Sequence, residues 1–211
     1  MFLKSITINK SWQLGIILGI SISPLISTVS SASEQSLNSR QSTIVSSTST
    51  AGSNLEVLPD AINLVKYYEG FRANAYIDTS GGAVIGYGLS KVDGRRVRLG
   101  QYITQAQADV ALERELHRIQ QIVLASVKVD LNPHQLGALT SLVYNAGTRI
   151  LTNSTLIRKL NAGDYASAAK EFPRWNKAHQ GGRLVVFPGL TKRRLAEQKL
   201  FLTPYQQIAS N

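Results

Sequence analysis

The sequence contains no cysteine. That excludes a disulfide framework, a thiolate metal site and a cysteine nucleophile, and leaves stability to an apolar core. Histidine is scarce: His117, His134 and His179 are scattered, without the spacing that sets metal ligands on one face. Acids are also few, 13 against 23 lysines and arginines, for a net charge of +10. Such a balance points to a polyanionic partner (nucleic acid, an anionic membrane or an anionic cell wall) without choosing among them. No apolar run reaches the ~20 unbroken residues of a membrane span. The best candidate, LGIILGISISPLISTV at 14–29, is broken by Pro24 and diluted by serine and glycine.

That stretch instead suits export. Lys4 and Lys10 precede it, and Ser30, Ser31 and Ala32 follow as small residues at a cleavage site. Residues 1–32 therefore read as a signal peptide cut after Ala32, with a retained signal-anchor as the alternative. Residues 33–56 are rich in serine and threonine and poor in apolar side chains, the composition of a flexible linker. The folded domain is expected over 57–202, with 203–211 as a C-terminal tail. A hydrophobic fraction of 43% is enough for its core.

Within the domain, Pro59 and Asp60 open a helix whose apolar positions are Ala61, Ile62, Val65 and Tyr68. Gly70 ends it, so Glu69 is its last residue. Two short β-type runs, AYID and AVIGYG, flank the turn TSGG and predict a hairpin. Everything after about residue 103 reads as helical. Thr104 with Gln107 forms a capping box before the stripe Leu112, Leu116, Ile119 and Val123. Asn132, Pro133 and Gln135 start a helix containing Leu136, Leu139, Leu142 and Val143. Asn153 or Ser154 caps a short helix, Asp164 caps the next, and a last helix over about 190–202 carries Leu195, Leu200 and Phe201. The fold class is α+β, a small sheet followed by a helical bundle.

The chemistry concentrates in EGFRANAYIDTSGGAVIGYG, residues 69–88. The carbonyl end of a helix disfavours negative charge. Tyr67, Tyr68 and Phe71 are expected to desolvate Glu69 further, so its carboxyl is expected to keep the proton that a general acid must deliver. Asp78 sits where the first strand enters the turn, solvated and near backbone N–H groups, and is expected to be ionised. Two carboxyls in opposite states on one cleft rim meet the requirement for glycoside hydrolysis. Taken alone, each has an ordinary reading, Glu69 as an exposed helix end and Asp78 as a turn former.

This stretch resembles the catalytic signature of the phage-type lysozymes, glycoside hydrolase family 24. The likeness continues in TQAQADVALERELHRI, LNPHQLGALTSLVYNAGT, RWNKA and GLTKRRLAEQKLF, five segments in the family's order across about 58–202. The resemblance implies a lysozyme-like fold, a small N-terminal β lobe and a helical lobe with the active-site cleft between them. It implies a muramidase acting on the β-1,4 bond between N-acetylmuramic acid and N-acetylglucosamine of peptidoglycan, with inversion. Glu69 matches the general acid, and Asp78 the acid that activates water. Tyr144, Asn145 and Ser154 match positions that contact the sugar. Their ordinary readings are core edge, helix C-cap and N-cap. Arg193 or Arg194 is a candidate partner for Glu69.

Two positions depart from the family pattern. Val84 stands where a threonine usually helps to hold the attacking water, leaving Thr79 and Ser80 as the nearby hydroxyls; Leu89 replaces a frequent histidine. Valine has a similar shape without the hydrogen-bonding group, which raises the alternative of a catalytically impaired peptidoglycan-binding protein on the same fold. A nucleic-acid binder using GRRVR and TKRR is the remaining reading; it lacks a helix-turn-helix or an aromatic platform. The resemblance implies peptidoglycan glycan strands as partner, no nucleic acid, no metal and no cofactor. The protein is expected to act as an exported monomer in periplasm, wall or medium, with transient or signal-anchor membrane association.

Overall fold

The computed structural model describes residues 56–205. The expected signal peptide, the linker up to residue 55 and the tail beyond 205 lie outside them. Helix α1 spans Pro59–Glu69, with proline in its first turn and Gly70 beyond its end at φ 66°, a conformation only glycine adopts without strain. Strands β1 (Arg72–Ile77) and β2 (Ala83–Gly86) pair antiparallel, with Tyr76 opposite Val84 and Ile77 opposite Ala83. A smaller hairpin follows, β3 (Lys91–Val92) with β4 (Arg95–Arg96).

Helix α2, Gln105–Ser126, starts at the expected capping box. The Gln107 N–H donates to Thr104 Oγ1 at 3.2 Å, and the Thr104 N–H donates to Gln107 Oε1 at 2.9 Å. Helix α3, Pro133–Ala146, repeats the device with Asn132 and Gln135. Every residue of α3 from Leu136 to Val143 is buried, because α1, α2 and the last helix, α6 (Pro188–Leu202), all pack on it. The expected stripes are core: Leu112, Leu116, Leu142 and Val123 are fully buried, each worth about 1.5–3 kcal/mol relative to exposure. Helices α4 (Thr155–Asn161) and α5 (Tyr165–Ala169) are capped by Ser154 and Asp164.

Two expectations need correction. The chain is not all helical after residue 103. Phe172–Trp175 is a short 3-10 helix, and β5 (Lys177–Gln180) pairs with β6 (Arg183–Val186) through Gly181–Gly182. Both turn glycines have positive φ, the condition for the tight two-residue turn that suits a twisted hairpin. Helix α6, Pro188–Leu202, carries Leu195, Leu200 and Phe201 as expected. Leu195 is 49% exposed while Arg193, Arg194 and Glu197 are fully buried. Tyr67 is 79% exposed and cannot desolvate Glu69. The α+β order, with α1 and the small hairpins near the N-terminal side of the domain and the helical bundle after them, is otherwise as expected. Among the described residues no helix is long and apolar enough to cross a membrane.

Candidate active site

A cleft of about 930 Å³ runs between the first hairpins and the helices, and both Glu69 and Asp78 line it. Glu69 reaches it from the end of α1, Asp78 from the first residue after β1. Tyr144 and Asn145, from the last turn of α3, line the same cleft. Ser154 does not. Its Oγ accepts from the Ile157 N–H at 3.1 Å as a helix cap, and it lines an adjacent groove of about 600 Å³ that shares Arg149 with the cleft.

Glu69 is buried at 6% exposure. Gly88, in the loop after β2, lies beside it: a Cβ there would make an ordinary contact 3.6 Å from Glu69 Oε2, and it is the positive φ of 86° that favours glycine. On the other side, Arg193 Nη1 donates to Glu69 Oε1 at 2.5 Å. The expectation of a proton-bearing Glu69 counted a helix end and aromatic rings; the structure adds a buried guanidinium. Of the two candidate arginines, Arg193 is the partner.

Arg193 also donates from Nε to Glu197 Oε1 at 3.1 Å, and Ser141 Oγ donates to that oxygen at 2.7 Å. Arg194 Nη2 bridges Glu197 Oε1 at 3.2 Å and Asn145 Oδ1 at 2.8 Å. Arg194 Nε lies 2.9 Å from Glu197 Oε2 without an aligned hydrogen bond. Two carboxyls and two guanidiniums thus form one buried network behind the cleft. Burial opposes the Arg193 charge, but Glu69 and Glu197 outweigh it and hold the guanidinium above its ordinary range. Arg194 is pulled down to about 10 by burial, against the opposing effect of Glu197.

Tyr144 donates its hydroxyl to the Tyr87 carbonyl at 2.7 Å, tying α3 to the loop after β2. Burial, and then the charge of Glu69, push the Tyr144 phenol well above its ordinary range. Asp78 is half-buried and held by its own turn: Oδ1 accepts from the Ser80 N–H (2.9 Å), the Ser80 hydroxyl (2.7 Å) and the Gly82 N–H (3.0 Å). Val84 lines the cleft at 4% exposure and brings only methyl groups. Lys91 and Arg149 add positive charge to the wall, while Arg114 and Arg118 are paired there with Asp93 and Glu115. Among the described residues no cluster could hold a metal ion.

The buried Glu197 was missed by sequence reasoning. The signal was RRLAE in a helix with few apolar residues, where Arg193 and Glu197 share a face at i,i+4. Such pairs usually face solvent, so the spacing did not disclose burial.

The model of the "Phage lysozyme" family matches residues 66–197. The chain is 41% identical over 138 residues to the endolysin of Acyrthosiphon pisum secondary endosymbiont phage 1, covering 65% of this chain and 92% of that protein. It is 34% identical over 142 residues to a SAR-endolysin of Pseudomonas phage phiKMV, covering 67% and 86%. The muramidase domain of SpmX from Asticaccaulis excentricus superposes with a TM-score of 0.65 at 32% identity, covering 70% of this chain and 98% of that one.

Proposed function

This chain belongs to the phage lysozyme family and is a glycosidase that hydrolyses peptidoglycan, and on that premise we propose a muramidase mechanism in which Glu69 is the general acid and Asp78 the general base. The observation that carries the proposal is the placement of both carboxyls in one cleft, one buried at a helix end and the other held in a turn. In this mechanism the Glu69 carboxyl gives its proton to the glycosidic oxygen, so the N-acetylglucosamine side leaves as an alcohol. Asp78 takes a proton from a water as that water's oxygen bonds to the anomeric carbon of N-acetylmuramic acid. Attack from the face opposite the leaving group inverts the configuration.

Arg193 holds the Glu69 carboxyl in place, and Arg194 holds the Asn145 amide against the cleft. Tyr144 and Asn145 form the sugar-facing wall. Ser154 serves a more distant part of the substrate from its neighbouring groove. Lys91 and Arg149 on the cleft wall attract the anionic wall polymer.

Product analysis on purified muropeptides tests the reaction. New reducing ends, with the α-anomer appearing first by NMR, are expected; anhydro-sugars would identify a transglycosylase and remove the proposal. Glu69→Gln should lower kcat at least ~10²-fold, the usual contribution of a general acid, while still melting cooperatively. Export by residues 1–32 is part of the same reading, supported by their basic and apolar composition and by the likeness to a SAR-endolysin. Fractionation of expressing cells, with N-terminal sequencing of the exported protein, distinguishes cleavage after Ala32 from a retained anchor.

A further inference from the structure

The Ser80 hydroxyl has a position in the cleft that the mechanism above leaves unused. Three donors converge on Asp78 Oδ1: the Ser80 N–H, the Gly82 N–H and the Ser80 hydroxyl. A carboxylate oxygen offers two lone pairs, so Oδ1 is saturated. Oδ2 is then the oxygen free to take a proton from water, and among the described residues no donor is bonded to it. The main chain already holds this arrangement. The Asp78 N–H donates to the Gly82 carbonyl at 2.9 Å, and two of the three donors to Oδ1 are backbone.

What the Ser80 side chain adds is an acceptor. Its one hydrogen is committed to Asp78 at 2.7 Å, and among the described residues no donor occupies the lone pairs of Oγ. Ser80 lines the same cleft as Glu69 and Asp78.

An attacking water has two hydrogens to place. One goes to the base. Unless the other also finds an acceptor, the water rotates and its lone pair is not held toward the sugar carbon. Val84, on the cleft wall, offers only methyl groups. Resting on the assignment of Asp78 as base, we propose that Ser80 Oγ is the second acceptor for the nucleophilic water, which is held between it and Asp78 Oδ2. One water proton passes to Asp78, and the water oxygen forms the new bond to carbon as the glycosidic bond breaks. The second hydrogen remains on the new sugar hydroxyl and leaves Ser80 with the product, so Ser80 neither gains nor loses a proton.

Steady-state kinetics on purified peptidoglycan, with Ser80→Ala, Ser80→Thr and Asp78→Asn, test this. Losing one hydrogen bond to a reacting group should lower kcat of Ser80→Ala roughly 10- to 100-fold, with KM within about twofold of the parent. Ser80→Thr restores the hydroxyl and should recover most of kcat. Residue 80 is exposed, so the alanine variant should melt within about a degree of the parent, which separates a kinetic role from a structural one. An unchanged kcat in Ser80→Ala, a loss confined to KM, or threonine no better than alanine would each overturn the proposal. If Asp78→Asn is inactive while Ser80→Ala keeps full kcat, only this inference falls. If Asp78→Asn stays active, the assignment of Asp78 falls first and Ser80 with it.

Discussion

Arg193 Nη1 lies 2.5 Å from Glu69 Oε1, and the arginine side chain is wholly excluded from solvent. The contact joins residues 124 positions apart in sequence and sets the orientation of the proposed acid from the far end of the domain. Arg193 also faces Glu197. Its removal therefore leaves two carboxyls in the interior with less cationic compensation.

Arg193→Ala should accordingly destabilise the protein by about 3–5 kcal/mol, the cost of breaking a buried pair from one side. Arg193→Lys keeps the charge but cannot bridge two carboxyls with a planar fork, so it should recover stability only in part and activity poorly. Chemical denaturation and wall-lysis rates measure the two effects. A stability of Arg193→Ala within about 1 kcal/mol of the parent would show that the pair contributes little.

Glu197→Gln tests the other half of the network. Glu197 has no solvent exposure and is the anion between Arg193 and Arg194. Removing its charge leaves two guanidiniums with the single carboxyl of Glu69. Because Glu197 compensates two cations and Glu69 one, Glu197→Gln should cost more stability than Glu69→Gln, on the order of 1–2 kcal/mol more. Its activity should also fall, since Arg194 holds Asn145 at the cleft. Equal denaturation midpoints for the two variants would contradict this.

The sequence disclosed the site unevenly, for physical reasons. Glu69 and Asp78 were legible because local rules place them: a glycine stop fixes the helix end and an Asx-type turn fixes the aspartate. The capping boxes at Thr104 and Asn132 were legible for the same reason. The role of Arg193 was visible only as a choice between two arginines, because a contact across 124 positions depends on how α6 rolls onto α3. Apolar character alone does not tell which face of α6 is buried: Leu195 is exposed, and paired charges occupy the buried face beside Leu200 and Phe201. The β5–β6 hairpin carried its own Gly181–Gly182 signal and was overridden by the helical pattern on either side.

Tyr87 predicts an alkaline loss of stability. Its hydroxyl donates to Asp109 at 2.7 Å, and Asp109 pairs with Lys66 at 3.0 Å. Burial first, then Asp109, push the phenol from 10.0 to about 12. Between those values an unfolded chain loses the proton and the native protein keeps it. The contribution is therefore complete below pH 10 and is lost as pH rises to about 12, amounting to roughly 2–3 kcal/mol. Tyr87→Phe should flatten this slope in denaturation curves across that window, at a cost near neutrality of about 1 kcal/mol for the lost hydrogen bond. Some slope should remain, because Tyr68 and Tyr144 are also raised. An unchanged slope in Tyr87→Phe would rule out Tyr87 as a source.

Gly137 sets a conflict between helix propensity and packing. It lies within α3, where alanine is the better helix former by about 1 kcal/mol. A Cβ at this position would lie 2.8 Å from the Ala61 Cβ of α1, closer than two such carbons can approach. Both helices would have to move apart at a fully packed crossing, which costs about 1–3 kcal/mol. Gly137→Ala should therefore destabilise by up to about 2 kcal/mol net, against its propensity. Ala61→Gly in the same chain opens the space and should reverse part of the loss. The double-mutant cycle, read by thermal denaturation, should give a coupling of at least about 0.5 kcal/mol. A stabilised Gly137→Ala, or simple additivity with Ala61→Gly, would mean that α1 and α3 pack less closely than the structure places them, and would loosen the support under Glu69 at the end of α1.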